Sequence, residues 1–125
     1  MCEHPVTSYR LANGLEVICC DHSTKMAADR WKISIVVKID IPVERRWFTG
    51  QPIDEEAFSK MRQRLGDGVV FQQTYERYFV SDDDKQETIH GICERAIAMA
   101  RAYMSRDSFP VKLILKRFAE SSRTG

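Results

Sequence analysis

Between Trp31 and Val43 the chain reads WKISIVVKIDIPV. Trp31, Ile33, Ile35, Val37, Ile39, Ile41 and Val43 hold the odd positions. Lys32, Ser34, Lys38 and Asp40 hold even ones, with Val36 and Pro42 as exceptions. Successive side chains of a strand point to opposite faces, so this pattern predicts a long strand with one covered face and one wet face. A strand covered on both faces would be apolar throughout, as in parallel sheets, so the sheet around it is expected to be antiparallel. Pro42 lacks a ladder donor and belongs at an edge or where pairing ends.

Upstream, TSYRLANGLEVICC reads as a hairpin around Asn13-Gly14. A two-residue turn would set Leu11 opposite Glu16. A three-residue loop, Ala12-Asn13-Gly14, pairs Leu11 with Leu15, Tyr9 with Val17 and Arg10 with Glu16. The second register gathers the apolar side chains on one face, and it needs Gly14 in the left-handed region. The linking segment DHSTKMAADR is too long for a tight turn.

After the long strand, ERRWFTGQP is loop-like. IDEEAFSKMRQRLG predicts a helix with Phe58, Met61 and Leu65 on one face, acidic residues at its start, arginines at its end and Gly66 to cap it. VVFQQTYERYFV has aromatics at helical spacing, but its β-branched and aromatic content favours a strand. Ser81 with Asp84 forms a capping-box pattern. A helix from about Asp82 to Met104 follows, with Ile89, Ile92, Cys93, Ala96, Ala100, Tyr103 and Met104 as its apolar stripe. FPVKLILKRF reads as a closing strand, with Val111, Leu113 and Leu115 on one face and Lys112 and Lys116 on the other. SSRTG reads as a frayed end.

These elements predict a single α+β domain over residues 1–125. It has a mostly antiparallel five-stranded sheet with two helices on one face, in the order β-β-β-α-β-α-β.

Composition narrows the class. The chain has 125 residues, 43% hydrophobic and 30% charged, which suits one globular domain. A formal net charge of +1 disfavours a general affinity for nucleic-acid backbones. The N-terminus lacks a secretory pattern and no apolar run is long enough to span a bilayer. The expected setting is the cytoplasm, away from membranes, with all four cysteines reduced.

Four groups of residues are candidates for function. In the preferred register His4 faces His22, and Cys2, His4, Cys20 and His22 share one side of the ribbon. Zinc accepts two cysteines and two histidines, although the spacing matches no established zinc pattern. Arg45, Arg46, Trp47 and Phe48 form a cluster of types enriched in binding hot spots. They are equally suited to closing the core edge, and the same cluster could grip single-stranded nucleic acid by stacking. Gly91, Ala98 and Ala102 lie opposite the apolar stripe of the long helix and would let another element approach closely. Glu87, His90 and Glu94 repeat at helical spacing, but a di-iron centre needs a second Glu-x-x-His and more helices.

No P-loop, Rossmann glycine pattern, G-x-S-x-G elbow or HExxH motif is present, so no reaction is indicated. A Cys20–His22 nucleophile and base would share a strand face, but nothing in the sequence orients the histidine. The expectation is a non-enzymatic interaction domain that self-associates, because a long unpaired strand edge attracts partners. A metal- or ligand-binding domain and a nucleic-acid adaptor are the alternatives.

Overall fold

A computed structural model describes residues 4–124 of the chain. In chain order it contains β1 (Pro5–Arg10), β2 (Glu16–Asp21), β3 (Thr24–Ala27), β4 (Arg30–Pro42), α1 (Glu55–Leu65), β5 (Gly68–Ser81), α2 (Lys85–Met99) and α3 (Ser108–Thr124). The alternating stretch is β4, and it forms the centre of a five-stranded sheet. β2 and β3 share one of its edges, β5 lies along the other, and β1 flanks β2. All four pairings are antiparallel.

The β1–β2 hairpin takes the three-residue register. Arg10 faces Glu16, Tyr9 faces Val17, and Leu11 N donates to Leu15 O at 2.7 Å. Gly14 has φ +90°, the left-handed conformation that closes such a loop. Asn13 in this loop is buried rather than exposed, and it serves the far end of the chain. Its Nδ2 donates to Met104 O and Arg106 O, while its Oδ1 accepts from Leu15 N.

β4 turns its odd residues to the core. Ile33, Ile35, Ile39 and Ile41, and Val43 just beyond the strand, are all 0% exposed. Phe58 and Met61 of α1, Ile89, Ile92, Cys93 and Ala96 of α2, and Val111 and Ile114 of α3 join the same buried cluster. The helices therefore occupy one face, as two layers require. On the reverse face Cys20, Ser34 and Val36 are buried outside that cluster. Val36 lies between Cys20 and Thr74 in the register, so the middle of this face is shielded by its own neighbours. Pro42 closes the ladder opposite Gly68, where a Cβ would stand 2.9 Å from Ile41 O.

Four local expectations hold in detail. α1 is capped by Asp54, whose Oδ1 accepts from Ala57 N at 2.8 Å, and ends at Gly66 with φ +77°. The aromatic segment is strand β5. Ser81 Oγ accepts from Asp84 N and donates to Asp84 Oδ2 at the entry to α2. Ile89, Ile92, Cys93, Ala96 and Ala100 are buried along one side of that helix.

The predicted order β-β-β-α-β-α-β needs correction: the described residues run β-β-β-β-α-β-α-α, with three α-helices. The fifth strand lies in the linking segment, where β3 pairs with the start of β4. Asp21 Oδ1 accepts from Ser23 N, and the Ser23 hydroxyl accepts from Ser34 N, so the chain breaks step after β2 and resumes along the same edge. The expected closing strand is helix α3. Pro110, Val111, Ile114 and Phe118 recur at helical spacing, and Pro110 sits in the first turn, where a missing N–H costs no helical bond. The helix continues through the expected frayed end to Thr124. Residues 100–104 form a π-helical turn, which changes the rotation per residue and leaves Tyr103 69% exposed instead of on the apolar stripe.

Candidate protein-interaction edge

Each strand of an antiparallel ladder alternates between residues bonded to one neighbour and residues bonded to the other. The Leu11–Leu15 bond sets the odd residues of β1 and β2 towards each other. The even residues of β2 therefore face β4, and His22 N donating to Ser34 O at 2.8 Å continues that parity. It follows that the odd residues of β4 bond to β5, in step with Val43 N donating to Asp67 O at 2.9 Å. By the same alternation, Val70, Gln72, Thr74 and Glu76 direct their backbone groups away from the sheet. No described strand pairs with them.

Side chains cap both ends of this row. Arg117 of α3 donates to Val70 O at 3.1 Å, and Arg77 donates to Glu76 O at 2.8 Å. Both acceptors are even-numbered, as the parity requires. The open backbone thus centres on Gln72 and Thr74. From Gly68 to Tyr75 the strand has no charged residue and no proline, the usual devices that blunt an exposed edge.

Beyond Glu76 the strand changes character. Arg77 faces Ile33 but Val80 faces Trp31, so Tyr78 and Phe79 share the place opposite Lys32. This is a bulge, and Phe79 takes φ +58° within it. Tyr78 and Phe79 are 55% and 70% exposed. Lys32 holds the bulge from β4: its ammonium lies 3.1 Å from the Glu76 carboxylate and 5.6 Å from the centre of the Tyr78 ring. Its hydrogen bond and charge pairing with Glu76 raise the Lys32 pKa.

On the helix side of the same edge, a groove of about 200 Å³ opens between β5 and α2. Tyr75, Ile92, Ala96 and Met99 line it with Arg77 and Arg95. Met99 is 48% exposed there. Open backbone groups beside apolar side chains suit an added strand, which would bond to the row and lay alternate side chains into the groove.

The residues singled out from sequence lie elsewhere. Trp47 and Phe48 are buried in the core; Trp47 Nε1 donates to Pro42 O, and the Phe48 ring meets Phe58 edge-on. Arg45 bonds Glu55 and Ile53 O, while Arg46 bonds Glu44 and stacks on Trp47 at 3.7 Å. The cluster thus closes the core edge, with the two arginines on the surface. Ala98 and Ala102 are exposed on the outer side of α2 and the following turn, whereas the Arg95 side chain crosses the face of Gly91.

The expected pairing of His4 with His22 is not formed. A bulge at Val6 brings Pro5 opposite Cys20, and His4 O accepts from Asp21 N. His22 is bonded to β4 instead. Cys20 is disulfide-bonded, which corrects the expectation of four reduced cysteines and withdraws its thiolate from metal binding and from any Cys20–His22 chemistry. Cys2 lies outside the described residues. Among the described residues no group of three or more His, Cys, Asp or Glu side chains could hold a metal ion. No described helix is long and apolar enough to cross a membrane.

An edge of the alternating strand β4 was one expected contact, but that strand is central and β5 presents an open edge in its place. One signal for this was present in the sequence: the uncharged run from Gly68 to Tyr75 beside paired exposed aromatics. The chain matches no family model, no curated protein and no solved structure.

Proposed function

We propose that this chain is a protein-protein interaction domain that self-associates through the outer edge of β5. The supporting observation is the outward row of backbone groups at Gln72 and Thr74, open between two capped carbonyls within a run, Gly68 to Tyr75, that carries no charged residue. A second copy fits this row better than an unrelated strand, because the open segment is symmetric about Gln73. Antiparallel pairing on a two-fold axis there sets Gln73 against its own copy and Gln72 against Thr74, whose outward backbone groups are both open. It leaves the Arg117–Val70 bond in place and puts no like charges opposite each other. The bulge at Tyr78 and Phe79 limits the pairing to a short segment, which favours a closed dimer over an extending assembly.

Sedimentation velocity over a concentration series tests the reading, with Thr74→Pro as the control. That substitution removes an outward N–H and leaves the ladder to β4 intact. Dimers are expected for the native chain, and monomers with unchanged circular dichroism for T74P. A native chain that stays monomeric at high concentration, or a T74P chain that associates equally well, would overturn it.

A further inference from the structure

Two cysteines meet inside the fold. Cys19 of β2 is 0% exposed and Cys93 of α2 is 2% exposed, and both are free. Both belong to one buried cluster, and each thiol lies near enough to the other to affect its ionisation. The register agrees with this placement. Thr7 is the pairing partner of Cys19, and Thr7 and Cys93 line one pocket of about 340 Å³ together with Val6, His90, Glu94 and Ile97. Cys93 is thus at the base of an opening from the surface, with Cys19 behind it.

A single buried cysteine needs no role beyond packing. Two neighbouring thiols, on elements far apart in sequence, beside a pocket large enough for a small organic molecule, form an arrangement that thiol–disulfide exchange can join. We propose that Cys19 and Cys93 are a dithiol pair that a small organic disulfide converts to an internal disulfide, cross-linking β2 to α2.

The exchange balances in two steps. Cys93, losing its proton, attacks one sulfur of the entering disulfide; the S–S bond breaks, and the leaving thiolate takes up a proton. Cys19 then loses its proton and attacks Cys93 Sγ in the mixed disulfide. The second thiolate leaves and is protonated. Two protein thiols are oxidised, and one small disulfide is reduced to two thiols. Burial pushes the Cys19 thiol up to about 12 and raises Cys93 as well, so both rest protonated. The pair therefore reacts slowly and only with an oxidant that reaches the pocket.

The test uses the full folded chain incubated with 2-hydroxyethyl disulfide, followed by non-reducing peptide mapping. The expected product is a peptide joining Cys19 to Cys93, lighter than its thiol form by two hydrogens and reversed by dithiothreitol. A Cys19→Ser chain, shown to be folded by circular dichroism, should instead retain the 2-hydroxyethylthio group on Cys93 as a mixed disulfide adduct. If the native chain keeps both thiols unmodified, or carries the adduct on Cys93 without the link, the proposal fails.

Discussion

The side chain of Asn13 donates to the carbonyl of Met104 at 3.0 Å, tying the first hairpin to the end of the π-helical turn. A second bond reaches Arg106 O at 3.2 Å, and Oδ1 accepts from Leu15 N at 3.1 Å. One amide thus joins the hairpin loop to the segment that leads into α3. Removing it leaves buried donors and acceptors without partners, which costs about 1–3 kcal/mol each. Asn13→Ala is expected to lose about 2–3 kcal/mol in urea denaturation. Asn13→Asp should lose more, because a carboxylate would face two carbonyl oxygens. An aspartate variant as stable as the native chain would contradict this role.

Phe79 supplies a prediction of opposite sign. Its φ of +58° disfavours any residue with a Cβ, and its ring is 70% exposed, so it contributes little burial. Phe79→Gly is expected to stabilise the monomer fold by about 0.5–1 kcal/mol, from the left-handed penalty less the added entropy of glycine. Thermal denaturation of F79G read at low concentration checks it, and a loss of stability there would contradict it.

The final helix can be tested against the strand that its alternation suggested. Ile114 is 0% exposed and Leu115 is 36% exposed. Ile114→Ala is expected to cost about 2–4 kcal/mol, and Leu115→Ala well under half of that. A strand with Val111, Leu113 and Leu115 inward would reverse the order.

Alkaline stability follows from Cys19. Its thiol is raised from the usual 9.0 to about 12 because burial disfavours the thiolate, and Cys93 beside it adds to the effect. The unfolded chain releases this proton near pH 9 while the folded chain keeps it. Stability is thus full below pH 9 and falls between pH 9 and 12, by up to about 1.4 kcal/mol per pH unit from this group. The Cys93 thiol is also raised, chiefly by burial, and contributes in the same direction. Urea denaturation in alkaline buffers should show a shallower decline for Cys19→Ala than for the native chain. Parallel declines would contradict it.

Much of the fold was legible where one pattern had one physical reading. The odd residues of β4, the Leu11–Leu15 register and the Gly66 and Ser81 caps are local signals, and the structure realises each. The misreadings fell where two readings were compatible with the same residues. Lys112 and Lys116 are four apart, so they share a strand face and a helix face alike. Pro110 suits a first helical turn, a signal that the strand reading left unused. The β3 strand was hidden because all four of its residues are exposed and carry no alternation. The candidate edge was legible only as an uncharged segment. Which strand lies outermost is a property of the whole pairing order, which no local pattern contains.

Amide hydrogen exchange at Gln72 and Thr74, followed across a concentration series, tests the central claim most directly. Their N–H groups point away from the sheet and are bonded only if a second copy is present. Protection at these two amides is expected to rise with concentration while the odd residues of β5 remain protected throughout. Rapid exchange at both amides at every concentration would show that the edge stays open, and would contradict self-association through β5.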